Sequence, residues 1–212
     1  TIAHEVRNPL TNISLAAEQL TDFAKNNPES ELLLEMVTRN ADRINQLVSD
    51  LLHSTRFGHL EFQMTDINQL IDETLVLAAD RIELKKVVIQ KDYGEGLQNV
   101  WADREKIKLA FLNIIVNALE AIEDHKGVIT IKSWRQSEKC MVEFVDNGIG
   151  MDEDTLQKLF DPYFTIKQKG NGLGLTNTQN IILNHKGNIN VRSTLKRGTS
   201  FTVILPVNQK NV

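Results

Sequence analysis

The segment NIIVNALEAI, residues 113–122, decides how this chain is read. Asn113 and Asn117 stand four apart, so on a helix they share one face, and the residues around them are largely apolar. Asparagine is a poor helix former, and two on one face need a reason. One reason is local hydrogen bonding between polar side chains. The other is ligand chemistry: amide oxygens suit Mg2+, a hard cation that keeps waters and substrate phosphates in its shell. Residue types alone leave both open.

Working outward, an amphipathic helix is predicted from Arg104 to Glu123. Strands follow at Val128–Trp134 and Met141–Val145, with a late hairpin of Asn188–Ser193 and Ser200–Leu205 around Lys196-Arg197-Gly198. Upstream, a short helix from about Asp66 to Ala79 leads into Val87-Val88-Ile89. Two glycine-bearing segments punctuate this half. The first, VDNGIGM at 145–151, follows a strand, and its Asp146 carboxylate suits the amino hydrogens of adenine; Asp-Asn-Gly is also ordinary turn chemistry. The second, GNGLGL at 170–175, opens a helix, so free N–H groups and the helix dipole can meet phosphates. It does not follow a strand within a βαβ unit, which excludes a dinucleotide fingerprint, and no Gly-Lys-Ser/Thr phosphate loop is present.

Toward the N-terminus the periodicity changes. Val6, Leu10, Ile13, Ala17, Leu20 and Ala24 step by four and three, a heptad seam that resumes at Leu34, Val37, Ala41, Ile44, Val48 and Leu51. Between the two runs Asn27 can cap a second helix and Pro28 suits its first turn. Two such helices bury little alone, and a second copy completes the seam most simply, as a dimeric four-helix bundle. The predicted organisation is a dimerisation unit at 1–57, a linker at 58–65 where Gly58, His59 and Thr65 interrupt both patterns, and a mixed α/β domain at 66–212.

The 212 residues are 41% hydrophobic with a formal net charge of −4, enough for real cores and no invitation to a nucleic acid backbone. Cys140 is the lone cysteine, which fits a reducing compartment, and its neighbours Met141, Val142, Phe144 and Val145 predict a buried strand thiol. No apolar run approaches the roughly 18 residues of a membrane span. The chain opens on a helical pattern already under way. It is therefore read as a cytoplasmic stretch of a longer chain, with membrane contact, if any, made only by segments upstream. Trp101 and Trp134 are read as core, and His53, His59, His125 and His185 as surface or packing residues.

On a wheel of about 100° per residue, His4 lies opposite the heptad seam and faces solvent. Glu5 beside it can take the Nδ1 proton and leave Nε2 as a nucleophile, and Asn8, one turn on, shares the face beside a kinking Pro9. A solvated helix turn is the plainer reading of those residues. HEVRNPL, 4–10, resembles the H-box of two-component histidine kinases. That resemblance implies that His4 is the phosphoacceptor, that Glu5 is the general base, and that Asn8 positions the water that removes phosphate from a response-regulator aspartate.

The later segments, in their order, resemble the N, G1, F and G2 boxes of the GHKL ATP-binding fold, with Phe160-Asp-Pro162-Tyr-Phe164 as the F box. The resemblance spans His4 to about Pro206. It implies an α+β protein: a helical hairpin forming a dimeric four-helix bundle, then an α/β sandwich of GHKL (Bergerat) type. It further implies that ATP is bound by Asn113, Asn117, Asp146, Gly148, Gly150, Phe160, Phe164, Lys167, Gly170, Gly172, Leu173, Gly174, Leu175 and Thr199, with Mg2+ on Asn113 and Asn117. A homodimer and a response-regulator receiver domain are the implied partners. GHKL ATPases place a glutamate where Asn113 stands, and an amide cannot act as that base. Asp103 matches an acidic position whose role the resemblance leaves unassigned. Glu120 departs from the family, many members of which carry a basic residue there, so Lys167 or Lys169 is expected to meet the phosphate charge instead.

Overall fold

The structure is a computed structural model, and it describes residues 60–94, 97, 99–123, 126–167 and 172–207, with scattered positions between 11 and 44. The chain divides into two compact units, 1–58 and 59–212. In the first unit the described positions from 11 to 20 and from 34 to 44 are helical. Ala17 and Ala41 are buried there, whereas the seam residues Ile13, Leu20, Val37 and Ile44 remain exposed within a single chain. His4, Glu5 and Asn8 lie outside the described residues.

The second unit begins with a strand. Residues 62–65, read above as the end of a linker, form β1 (Phe62–Thr65), which pairs antiparallel with β3 (Val100–Asp103). Its sequence gives little warning, because only Thr65 of the four is buried. The helix expected at 66–79 ends sooner, as α1 (Ile67–Leu77) capped by Asp66, whose side chain accepts the Gln69 N–H. After Ala78 the chain continues as α2 (Ala79–Lys85), which buries none of its own residues and so has no apolar stripe to reveal it.

The main sheet has five strands in the order β2 (Val88–Tyr93), β4 (Val128–Gln136), β5 (Lys139–Asp146), β7 (Gly198–Pro206), β6 (Asn188–Thr194). Only β2 and β4 are parallel. Alternate residues of β4 and β7 are buried, so one sheet face carries the core. Onto it packs α3 (Arg104–Ala121), which buries Ile107, Ala110, Phe111, Ile114, Ile115, Ala118 and Leu119. Phe111 meets Phe144 of β5 with ring centroids 5.3 Å apart. The short α4 (Glu153–Lys158) and then α5 (Gly174–Asn184) complete the helices of this unit among the described residues. Cys140 is fully buried in β5 as expected, and burial pushes its thiol up to about 12. Trp101 and Trp134 are half-buried rather than core. No helix among the described residues is long and apolar enough to cross a membrane.

Asp103 and His185 explain one another. The Asp103 carboxylate caps α3 through the Lys106 N–H at 3.1 Å and accepts the Glu61 N–H at 3.0 Å, while its own N–H donates to His185 Nε2 at 2.9 Å. With Nε2 accepting, Nδ1 must carry the proton that it gives to the Ile181 carbonyl at 2.7 Å. The ring is buried, edge-on to Phe62, and holds the end of α5 to the start of α3 in its neutral form.

Two outcomes follow. Phe111→Ala should cost about 3–5 kcal/mol in urea unfolding, the usual penalty for emptying a packed aromatic site. Burial lowers the His185 pKa below its ordinary 6.5, so the folded ring resists a proton that the unfolded chain accepts. Its contribution is complete above that pH and is lost as pH falls below it. Between about pH 7.5 and about pH 5.5 the parent should therefore lose more stability than His185→Gln, whose amide donates and accepts without titrating; equal losses would remove His185 from this role.

Candidate nucleotide site

The face of α3 opposite its core carries Asn113 and Asn117, both half-buried, with Glu120 exposed at its outer end. Asn113 Nδ2 donates to the Gly174 carbonyl at 3.3 Å and to Thr178 Oγ1 at 3.4 Å. The amide nitrogen is thereby turned to α5, and Oδ1 has no hydrogen-bond partner among the described residues. Asn117 Oδ1 accepts from Lys167 Nζ at 2.5 Å, and the same ammonium pairs with Glu120.

Asp146 lies just before the loop that meets the C-terminal end of α3. Its Oδ1 accepts the Gly148 N–H at 2.9 Å and the Thr199 N–H at 3.2 Å, and Oδ2 has no partner among the described residues. Burial raises the pKa of this carboxyl, and the two backbone donors offset part of the rise. A buried carboxylate oxygen without a donor is costly unless a ligand supplies one.

Three segments converge around Asp146. Residues 148–150 thread between the end of α3, where Ile149 N–H donates to the Ala121 carbonyl at 2.9 Å, and the β6–β7 turn. Gly150 adopts φ +65°, and a Cβ there would lie 2.1 Å from the Thr194 carbonyl oxygen. Gly198 has φ +101°, and a Cβ would come within 1.9 Å of the Asp146 carbonyl oxygen. Both glycines thus answer two demands at once, positive φ and backbone contact. Ser193, which carries no motif signal, joins the segments: its Oγ accepts the Met151 N–H at 2.8 Å and lies 3.0 Å from both the Gly198 carbonyl and Thr199 Oγ1.

Beside Asn113, α5 starts at Gly174 without any side-chain cap, leaving its first N–H groups available to an anion. Leu173 is buried and Leu175 half-buried. The segment 160–164 is fastened to this start: Thr176 Oγ1 donates to the Phe160 carbonyl at 3.0 Å, and Tyr163 N–H to the Gly172 carbonyl at 3.2 Å. Phe160 and Phe164 are half-buried. Gly170 and Lys169 lie outside the described residues. The structure thus gathers Asn113, Asn117, Lys167, Gly172, Leu173 and Gly174 in one group and Asp146, Gly148, Gly150 and Thr199 in another.

The donor set fits a nucleotide with a bound cation. Asp146 offers a dry acceptor for an exocyclic amine, the α5 N-terminus offers donors to phosphate, and the Lys167 ammonium already occupies the kind of position at Asn117 that a cation would take.

Residues 102–209 match the family described as Histidine kinase-, DNA gyrase B-, and HSP90-like ATPase, and residues 1–60 match the His Kinase A (phospho-acceptor) domain. The chain belongs to the histidine kinases, with a catalytic unit of the GHKL ATPase fold. Among relatives, it is 35% identical over 207 residues to sensor histidine kinase ZraS of Escherichia coli K12, covering 98% of this chain and 44% of that protein. It therefore spans less than half of that relative's length. The catalytic domain of histidine kinase ThkA superposes with a TM-score of 0.64 at 32% identity, covering 69% of this chain and 96% of that one. ThkA solved in complex with response regulator protein TrrA gives a TM-score of 0.70 at 27% identity, over 98% of this chain and 60% of that one.

Gly198→Ala should destabilise the unit by about 2 kcal/mol or more in urea unfolding, since strain and a backbone collision add. An unchanged midpoint would mean that the Asp146–Gly198 approach relaxes freely.

Proposed function

We propose that this chain is the catalytic portion of a sensor histidine kinase, which transfers the γ-phosphate of ATP to His4 and then to the aspartate of a response-regulator receiver domain. The observation that carries it is the presence, in one chain, of a phospho-acceptor unit at 1–60 and an ATPase-family unit at 102–209 whose α3 carries an amide, Asn113, in place of a base. A hydrolytic ATPase needs a base near the triphosphate, and Asn113, committed by its amide to Gly174 and Thr178, cannot take a proton from water.

In this reading Asp146 Oδ2 accepts the adenine amino group, with Thr199 and Gly148 holding the carboxylate in place. The N-terminus of α5, with Gly172 and Gly174, donates to the phosphates. Mg2+ held by Asn113 and Asn117 through their amide oxygens supplies charge neutralisation when bound. The 160–169 stretch serves as a lid over the nucleotide. Glu5 takes the Nδ1 proton of His4, so that Nε2 attacks phosphorus in line and ADP leaves; positioning and electrostatics carry most of the rate. The proposed organisation keeps 1–57 as the dimerisation and phosphoacceptor unit. A homodimer is supported by the exposed seam residues Ile13, Leu20, Val37 and Ile44, which a second hairpin would cover. The complex of ThkA with TrrA supports the receiver partner. Asn8 is assigned the orientation of the water that dephosphorylates the regulator. The reading keeps this portion in the cytoplasm, with any membrane anchor upstream of it.

Incubation with Mg2+ and γ-labelled ATP should leave acid-labile, alkali-stable label on the parent and none on His4→Gln; equal labelling of the variant would defeat the central reading. Asp146→Asn should weaken ATP binding by about tenfold or more in calorimetry with an unchanged circular dichroism spectrum, because an amide cannot satisfy both backbone donors and the base with equal strength. Asn8→Ala should label normally yet slow dephosphorylation of the cognate regulator, and unchanged dephosphorylation would remove Asn8 from that role.

A further inference from the structure

One cation already stands among the acceptors of the α3 face. Lys167 Nζ donates to Asn117 Oδ1 at 2.5 Å and pairs with the Glu120 carboxylate. Its placement is specified from both sides. Asn117 and Glu120 are three apart on α3, so their side chains are surface neighbours. On the other side of the contact, Thr165 Oγ1 accepts the Lys167 backbone N–H at 3.1 Å in a local turn. The two side chains are 38% and 45% exposed, so the pair contributes little to the stability of the fold. It is, however, seated on the amide oxygen that a cation of the nucleotide would use.

We propose that Glu120 is a positioning residue: it holds the Lys167 ammonium on the Asn117 amide oxygen, making the lysine a resident counter-cation that a divalent ion must displace. The inference rests on reading this face as a nucleotide site. It accounts for an acidic residue beside a triphosphate pocket, which otherwise only repels phosphate. Paired with Lys167, Glu120 adds no net charge and fixes where the positive charge sits. A nucleotide without a metal then meets a cation already in place, and Mg2+ competes with the ammonium for Asn117 Oδ1.

The test is the ratio of ATP dissociation constants with excess chelator and with Mg2+, measured calorimetrically. Lys167→Met should raise that ratio about tenfold, because metal-free ATP loses the cation preplaced at Asn117. Glu120→Gln should raise it by about threefold, in keeping with an exposed ion pair. Simple charge removal predicts the opposite sign for Glu120→Gln, since deleting a carboxylate favours the more anionic metal-free nucleotide most. The double variant Glu120→Lys with Lys167→Met, which returns an ammonium from the helix side, should bring the ratio back to within about twofold of the parent. A ratio that is unchanged or lower in Glu120→Gln overturns the proposal while leaving the nucleotide site intact. Failure of the parent to bind ATP under either condition overturns the site reading itself.

Discussion

The seating of α3 on the sheet is the constraint from which the rest follows. Phe111 against Phe144, with Ile107, Ile114, Ile115, Ala118 and Leu119 buried around them, fixes the rotation of an 18-residue helix about its axis. A helix whose one face is locked has no freedom left for the other. Asn113, Asn117 and Glu120 therefore point where the core sends them. The end of the helix is held as firmly: Lys85 Nζ donates to the carbonyls of Leu119 and Ile122 at 2.7 Å each, and Ala121 accepts from Ile149. The loop that presents Asp146 and Gly148 is thus anchored to the same helix that presents the amides.

This arrangement sorts the chemistry by position. One group holds a buried carboxylate with one oxygen satisfied and one open; the other holds an uncapped helix start and a lysine. Acceptors stand where a base would offer donors, and donors and positive charge stand where phosphates would lie. The amides ride on a packed helix, and the loop after Asp146 is pinned by backbone hydrogen bonds. The buried neutral His185 belongs to the same logic, joining α5 to the start of α3 through Asp103.

Much of this was legible. The period of residues 104–123 foretold a helix with a polar pair on one face, and the alternation in 128–145 and 188–205 foretold the sheet. Glycines at 148, 150, 172 and 198 stand where the backbone passes close to another segment, whereas Gly174 has open space around it. Other parts were silent. Residues 62–65 carry no strand pattern because their partner, β3, and not their own alternation, makes them a strand. α2 buries nothing and so leaves no stripe. Ser193 is an ordinary strand serine until folding brings Met151 and Thr199 beside it, and Asp103 and His185, 82 residues apart, share no local signal.

What the sequence determined by itself was the long helix, the central strands and the late hairpin, their order and the chemical types offered to a ligand, because periodicity, capping and turn chemistry act over a few residues. What only the tertiary structure decided was which of those groups meet. The open oxygen of Asp146, the tautomer of His185 and the hold of Glu120 on Lys167 depend on contacts between segments far apart in the chain. No local pattern encodes such contacts, since they arise only when burial of the α3 face has fixed every element against the sheet.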